Sequence, residues 1–256
     1  MSLMRIHPVV ACAGIPISSL SPRDAAHKII WLARAPRTTG IDVHLCNAYT
    51  LALADRDPKL HEMLRAAMLN LPDGTPVVWA NRLLHPAEDI PKQRVRGPSL
   101  FLDVFDLGQE VGLRHFLLGS TPEVLSALQV NLQANYPAAR IVGVESPPFR
   151  DLTQAEQEDQ LARIEASGAE IVWVGLGTPK QDIECSRMAS MSSLVFVAVG
   201  AAFDFAAGTK SEAAPWMQNN GLEWMHRLSQ EPGRLWKRYL FGNARFLRAT
   251  LQRRSP

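Results

Sequence analysis

The stretch EIVWVGLGTPKQDIECSRMASMSSLVFVAVG, residues 170–200, decides the fold class. Two short runs of mainly Val, Ile, Leu and Phe, EIVWVGLG and SLVFVAVG, flank a longer segment that begins with TPKQDIECSRM. Because a strand that is buried on both faces needs apolar side chains throughout, such runs indicate strands of a parallel sheet. Parallel strands need a crossover connection, usually a helix. The stretch therefore predicts strand, helix and strand in succession.

The same alternation continues toward the N-terminus. Ser21-Pro22-Arg23-Asp24 is typical of a helix start, with Ser as N-cap and an acid near the positive end of the helix dipole. Thr153 and Glu156 have the spacing of a capping box. Further strands are predicted at 41–45, 115–120 and 139–145, and further helices at 57–69, 75–84, 97–110, 121–134 and 153–167. The predicted class is α/β, a mostly parallel sheet with helices on both faces.

The C-terminal region differs in composition from the rest of the chain. Residues 212–256 are rich in Trp and Arg, and Gly221 and Pro232 interrupt their helical pattern. We therefore predict an α/β core over residues 1–211 and a helical appendage over residues 212–256. Residues 226–256 contain eight Lys and Arg against one acid, Glu231, although the whole chain has a net charge of only +2. Such a basic tail is expected to contact phosphates, on a ligand or on an anionic membrane surface.

Composition and motifs exclude several classes of protein. With 256 residues and 46% hydrophobic residues the chain can bury a substantial core, yet no run reaches the roughly 20 apolar residues of a membrane span. The N-terminus is too weakly apolar for a signal peptide, so we predict a cytoplasmic protein. The three cysteines form no CxxC pair, and the seven histidines form no HxH or HExxH arrangement. The sequence therefore encodes neither a disulfide framework nor a zinc site.

One acidic pattern resembles a metal site but has a simpler interpretation. Asp55-Arg56-Asp57 matches a D-x-D pattern that can hold a divalent ion. Asp57 directly precedes Pro58 at a predicted helix start, where a carboxylate caps the helix. We therefore predict no metal site and no cofactor.

Three predicted strands end near a glycine, at Gly119, Gly177 and Gly200. The carboxyl ends of parallel strands meet at one edge of a sheet, where ligands usually bind. Glycine lets backbone N–H groups approach an anion, although a single glycine more often makes a tight turn. Lys180 stands where a dinucleotide-binding fingerprint has its third glycine. The three glycines together favour a pocket for a nucleotide or a sugar phosphate.

Two further groups of residues fit the chemistry of such a pocket. Pro72-Asp73-Gly74 is a standard turn sequence, and its carboxylate would serve as a general base if it lay at a pocket rim. Arg234 and Arg238 lie one helical turn apart, and Arg227 precedes the break at Pro232. Guanidinium groups suit a diphosphate because they form paired hydrogen bonds to its oxygens, whereas any one of them alone is usually a solvated surface charge.

Seven blocks of sequence follow one another between residues 40 and 247: PDGTPVVWANRLL, RVRGPSLF, FLLGSTPEV, NYPAARIVG, VGLGTPKQD, VGAAFDFAAGT and GLEWMHRLSQEPGRLWKRYL. In content and order they resemble the WecG/TagA/CpsF family of bacterial glycosyltransferases. The resemblance implies a Rossmann-like α/β core with a C-terminal appendage. It also implies an inverting enzyme without a metal ion. Such an enzyme moves N-acetylmannosamine or a related sugar from UDP to a polyprenyl-diphosphate-linked sugar, in the synthesis of cell-surface polysaccharides.

The resemblance also assigns roles to individual residues. It implies that Asp73 is the catalytic base, that Gln181 lies beside the reacting sugars, and that Asp204 belongs to the nucleotide pocket. Leu45 stands where many members have a Thr, so a hexose or a uronic acid remains an alternative to N-acetylmannosamine as the donor sugar. The other residues expected to bind substrate are Asn47, Gly119, Gly177, Lys180, Gly200, Arg227, Arg234 and Arg238.

Other interpretations stay open at this point. A non-catalytic UDP-binding protein would share the same pocket, and an NAD-dependent oxidoreductase is disfavoured by Lys180. A nucleic-acid-binding module would need aromatic side chains that stack bases on a sheet face, and the sequence lacks them. The favoured partners are a UDP-sugar, a lipid-linked acceptor and the inner face of the cytoplasmic membrane, on which the protein would be peripheral. The sequence leaves open whether copies of the chain form a homo-oligomer.

Overall fold

Within residues 8–252, six parallel strands form the central sheet, and two more strands form a separate hairpin. The computed structural model describes this range except for the side chains of Asn219, Arg234, Lys237 and Arg238. The strands are β1 (Val9–Cys12), β2 (Ile15–Ser18), β3 (Ile41–Cys46), β4 (Leu69–Pro72), β5 (Arg114–Gly119), β6 (Arg140–Glu145), β7 (Ile171–Gly175) and β8 (Val195–Ala198). In the sheet they lie in the order β4-β3-β8-β7-β5-β6. The predicted α/β class with a Rossmann-like sheet is confirmed.

Three helices begin at the caps that the sequence predicts. Ser21 accepts the N–H of Asp24, and Thr153 and Glu156 form the predicted capping box. Asp57 accepts the N–H groups of Lys59 and Leu60, which makes it a helix cap. The helices are α1 (Pro22–Arg34), α2 (Ala48–Ala54), α3 (Pro58–Ala66), α4 (Thr75–Leu84), α5 (Gly97–Gly108), α6 (Pro122–Asn135), α7 (Gln154–Ala166), α8 (Lys180–Met191), α9 (Ala202–Ala206), α10 (Pro215–Asn219), α11 (Glu223–Gln230) and α12 (Pro232–Gln252).

The sheet is covered by helices on both faces, as its apolar strands require. Successive side chains of a strand point to opposite faces, so Ile171 and Trp173 of β7 pack with α1, α5, α6 and α9. Val172 and Val174 of the same strand pack on the other face with α7 and α8. A third cluster joins the β1–β2 hairpin to α2, α3, α4 and α12.

The structure differs from the sequence-based expectation at β4 and at the β1–β2 hairpin, among other places. The helix predicted over 57–69 ends at Ala66, and residues 69–72 form β4 at the edge of the sheet. With only four residues this strand shows no periodicity, and its pairing with β3 decides its conformation. The β1–β2 hairpin was not predicted either. Pro16 lies within β2, and Ala13 in its two-residue turn has φ +54°, so neither residue matches the usual hairpin pattern.

A buried charged group joins β3 to α8. His44 of β3 is fully buried, and its two ring nitrogens lie 3.0 Å from the Asp42 carboxylate and 3.1 Å from the Asp182 carboxylate. Burial alone would lower the pKa of His44, but hydrogen bonds to Asp182 and Asp42 outweigh that effect and raise the pKa to about 9. An imidazolium between two carboxylates therefore anchors the start of α8 beneath the sheet.

The three C-terminal helices pack against the rest of the chain. Phe246 and Ala249 of α12 are buried in the cluster that includes α2, and Leu235 is buried near the start of the same helix. The unit boundary at residues 211 and 212 stays a prediction. Large apolar side chains of these helices face outward: Trp216, Trp224, Met225, Trp236, Leu240, Phe241, Leu247 and Leu251. Across residues 8–252, no helix has the combination of length and apolar character needed to cross a membrane.

The buried histidine makes stability depend on pH. Because the folded-state pKa of His44 is raised to about 9 from an ordinary 6.5, its contribution is complete below about pH 6.5 and is lost as pH rises through 9. A rise of this size corresponds to up to about 3 kcal/mol. His44→Gln is expected to remove most of this decline between pH 6.5 and 9, measured by urea denaturation. The exposed control His27→Gln should retain it. An equally steep decline in both variants would contradict the assignment.

Candidate functional site

A cleft with a volume of about 430 Å³ runs across the carboxyl ends of the parallel strands. The loops after β3, β4, β5, β7 and β8 all contribute to it, because the carboxyl ends of parallel strands share one edge. Predicted site residues that line it are Asn47, Asp73, Gly177, Gln181, Gly200, Asp204 and Arg227. A smaller cavity of about 110 Å³ adjoins it and shares Asn47, Asp73, Arg227 and Tyr239.

Asp73 lies directly after β4, where the two cavities meet. Its backbone N–H donates to the carbonyl of Cys46 at 2.9 Å, which links the turn to the end of β3. Its side chain is partly buried, and burial raises the pKa of Asp73 above the ordinary value. The nearby guanidiniums of Arg94 and Arg227 offset part of that rise in pKa. A carboxylate in this setting is suited to accept a proton.

Asn47 follows β3 and caps α2. Its Oδ1 accepts the N–H groups of Tyr49 at 3.0 Å and Thr50 at 3.1 Å. The amide oxygen is therefore engaged within the protein, and the residue lines both cavities. Leu45, two residues earlier on β3, lines the larger cleft with an apolar side chain.

Gln181 links two of the glycine loops. Its Oε1 accepts the N–H of Gly177 and the N–H of Gly200, each at 3.0 Å, and the side chain is 4% exposed. The expectation from sequence was that these two glycines would offer their N–H groups to an anion. In the structure both N–H groups are already paired, so a phosphate at this edge needs other donors.

The third predicted glycine has a structural requirement of its own. Gly119 has φ +126°, and a Cβ added there would lie 2.5 Å from the carbonyl oxygen of Gly175. Close approach of β5 to β7 therefore requires glycine. Gly119 does not line the cleft itself, but the next residues, Ser120 and Thr121, do.

Of the remaining predicted site residues, Asp204 lines the cleft and Lys180 does not. Asp204 lines the cleft on α9, 3.5 Å from the Nζ of Lys210, which also pairs with Glu231 at 3.1 Å. Lys180 lies outside the cleft lining, and its Nζ donates to the carbonyl of Arg150 at 3.1 Å. Arg234 and Arg238 belong to α12, but their side chains lie outside the described part of the chain.

Arg227 reaches the cleft as one member of an ion-pair cluster that the sequence did not predict. Its Nη2 lies 2.8 Å from Glu223, which also binds Arg94 and Arg96. All three of these additional residues fall within the blocks RVRGPSLF and GLEW, which were noted only as part of the resemblance. The pairing of Glu223 with Arg94 and Arg96 could not be predicted from the sequence, because Glu223 lies 129 residues from Arg94 and 127 residues from Arg96.

The smaller cavity lies between α2, α4 and the C-terminal helices. Trp224 and Tyr239 contact each other there, with ring centroids 5.8 Å apart and planes inclined at 60°. Tyr49 and Thr75 also line this cavity. Aromatic and hydroxyl side chains together can pack against and hydrogen-bond to a sugar.

Metal-binding clusters are not found in the described structure. Within residues 8–252 no group of three or more His, Cys, Asp or Glu side chains is arranged to hold a metal ion. Cys12, Cys46 and Cys185 are buried free thiols.

A polar cleft across the carboxyl ends of a parallel sheet defines the ligand-binding arrangement of open α/β enzymes. Residues 10–256 match the Glycosyl transferase WecG/TagA/CpsF family. Because the match covers nearly the whole chain, the protein belongs to this family, which confirms the resemblance noted in the sequence. The protein is therefore a glycosyltransferase of cell-surface polysaccharide synthesis, with a nucleotide-sugar donor and a lipid-linked acceptor.

The role of Gln181 as a link between loops can be tested by substitution. Gln181→Leu removes the acceptor of the N–H groups of Gly177 and Gly200, and each of these part-buried hydrogen bonds typically contributes about 0.5–1.5 kcal/mol. We expect lower stability in denaturation and faster amide hydrogen exchange at both glycines. The control Gln181→Glu retains an acceptor oxygen and should preserve slow exchange. Unchanged exchange in the Leu variant would show that the link is dispensable.

Proposed function

We propose that the protein is an inverting, metal-independent glycosyltransferase that moves a sugar from a UDP-sugar to a polyprenyl-diphosphate-linked acceptor. One observation carries the proposal: Asp73 stands where a large cleft and a smaller cavity meet, with Arg227 shared by both. A transferase needs one site for each substrate and a base where the two substrates meet. The two adjoining cavities and Asp73 fit these three requirements.

The larger cleft suits the nucleotide donor. It lies over the strand ends where open α/β proteins bind nucleotides, and Asp204 provides a carboxylate for ribose hydroxyls. Since Gln181 occupies the N–H groups of Gly177 and Gly200, we expect side chains to supply the positive charge that neutralises the diphosphate. Among the arginines whose side chains the structure describes, Arg227 lines this cleft. Arg234 and Arg238 are proposed to join it there.

The smaller cavity suits the acceptor sugar. A hydroxyl of an acceptor bound beside Trp224 and Tyr239 would face the donor cleft within reach of Asp73, because Asp73 and Tyr239 line both cavities. Asp73 takes the proton of that hydroxyl as its oxygen bonds to the anomeric carbon from the face opposite UDP. The bond to UDP breaks, and the diphosphate leaves with the electron pair. Arginine stabilises the charge that grows on it, in the role that a metal ion has in other enzymes.

The donor sugar is proposed to be N-acetylmannosamine or a related sugar, with hexose and uronic acid as alternatives. Leu45 supports the wider choice, because it gives this part of the cleft an apolar surface where the family resemblance leads one to expect a hydroxyl. A donor whose acyl or hydroxyl group needs that hydroxyl would bind less well. A site lacking one hydrogen-bonding group discriminates less between such sugars.

The C-terminal helices are proposed to place the enzyme on the inner face of the cytoplasmic membrane. Exposed Trp and Leu side chains lie on helices that also carry most of the basic residues of the tail. Trp, Leu and Arg on one helical segment are typical of peripheral membrane contact. Such a contact would bring the cleft to a lipid-linked acceptor.

A direct assay tests the proposed reaction. The full chain is incubated with a panel of UDP-sugars and a short-chain lipid-diphosphate sugar, and the product is identified by mass and by its anomeric configuration. We expect transfer with inversion that persists in EDTA. UDP binding in calorimetry without transfer to any acceptor would favour a non-catalytic nucleotide-binding protein. Loss of transfer in EDTA, restored by Mn²⁺, would contradict metal independence.

The base assignment predicts the effect of one isosteric change. Asp73→Asn is expected to lower kcat/KM by about a hundredfold to ten-thousandfold, because the amide cannot accept the proton. UDP binding and the melting temperature should change little. Since burial raises the pKa of Asp73, the acid limb of the wild-type profile should lie above the pKa of an ordinary Asp. Asp55→Asn is the control and should retain activity. Near-normal turnover in Asp73→Asn would remove Asp73 from the mechanism.

A further inference from the structure

The carboxylate of Glu223 is the meeting point of three arginines. Arg94 Nη2 lies 2.5 Å and Arg96 Nε 3.1 Å from Oε2, and Arg227 Nη2 lies 2.8 Å from Oε1. Glu223 is only 5% exposed. Burial alone would raise its pKa, but the guanidiniums of Arg227, Arg96 and Arg94 outweigh that effect and lower the pKa to about 2. Glu223 is therefore a buried anion at any working pH.

These ion pairs join two distant parts of the chain. Arg94 and Arg96 lie in the segment that leads into α5, whereas Glu223 and Arg227 lie one turn apart on α11. The cluster therefore fixes α11 to the rim of the cleft. Because Glu223 and Arg227 are spaced i and i+4 on one helix, their pair also restricts the orientation of the Arg227 side chain.

A second contact restricts Arg227 further. The centre of its guanidinium lies 5.1 Å from the ring centroid of Phe205, and that of Arg96 lies 5.5 Å from the same ring. Both guanidiniums also bind the Glu223 carboxylate, whose negative charge offsets the repulsion between them. The carboxylates of Glu223 and Glu212 bind the three arginines. Two negative charges do not fully neutralise three positive ones, so these five side chains together are positively charged. Arg227 presents that charge to the cleft.

We propose that Glu223 is a positioning residue that holds Arg227 in the orientation in which this guanidinium meets the leaving diphosphate of the donor. The inference rests on the proposed function and extends it to a residue whose own charge would repel a diphosphate. Glu223 therefore acts through Arg227. Without Glu223, the Arg227 side chain would lose the anion that orients it, and Arg94 and Arg96 would be left without their shared partner.

A double-mutant cycle on the full chain tests this inference. Arg227→Ala alone is expected to lower kcat/KM by about a hundredfold to a thousandfold, the usual effect of removing one charge-stabilising donor. Glu223→Gln is expected to lower it at least about tenfold, since it removes the charge but not the side-chain shape. If Glu223 acts through Arg227, the double variant should be about as active as Arg227→Ala, because the two residues form one unit.

Two further variants separate positioning from general structure. Glu165→Gln removes an exposed carboxylate on α7 and should leave kcat/KM and the melting temperature unchanged. Glu223→Asp keeps the charge with a shorter reach and should recover part of the activity that Glu223→Gln loses. A structural role alone would give losses that follow the melting temperature and multiply with the loss from Arg227→Ala.

The outcomes distinguish this inference from the proposed function. A Glu223→Gln variant with normal kcat/KM, or losses that multiply in the cycle, would overturn the positioning role while wild-type transfer continues. Should Glu223→Gln not fold, the cycle is run with Glu223→Asp and Arg227→Ala, and the same comparison decides. A wild-type chain that binds no UDP and transfers no sugar from any UDP-sugar would instead overturn the proposed function itself.

Discussion

Hydrogen bonds between parallel strands set the position of every loop that lines the cleft. β3 pairs with both β4 and β8, and β7 pairs with both β5 and β8, so the carboxyl ends of five strands lie side by side. The N–H of Asp73 adds a bond to the carbonyl of Cys46, which fixes the turn after β4 to the end of β3. Loops held at both ends by a rigid sheet can place side chains reproducibly. The site therefore depends first on strand pairing.

Gln181 links the loops that follow β7 and β8. It takes up the N–H groups of Gly177 and Gly200, which would otherwise be available to an anion. Its neighbour Asp182 pairs with His44 below the sheet, so a buried ion pair anchors the helix start that carries Gln181. Removing one partner of a buried charged pair leaves an uncompensated charge, which makes such an anchor hard to move.

Charge on the opposite side of the cleft comes from arginine. Arg227 lies on α11, a short helix whose one buried side chain is Glu223, and Glu223 supplies the link to Arg94 and Arg96. An anion that binds three guanidiniums both neutralises their repulsion and orients them. The C-terminal helices thus form part of the cleft wall, through Arg227, Leu235 and Tyr239, and Asp73 lines the same cleft directly after β4.

The amino-acid sequence by itself determined the α/β class, most of the strands and helices, and the blocks that contain Asp73, Gln181 and Arg227. These follow from local signals, because apolar runs, caps and turn residues act within a few positions of one another. Only the tertiary structure decided that residues 69–72 pair as a strand, that Lys180 binds the carbonyl of Arg150 outside the cleft lining, and that Glu223 binds Arg96 from 127 residues away. Strand register and long-range ion pairs depend on contacts between residues that are distant in the sequence, and such contacts produce no periodic pattern in it.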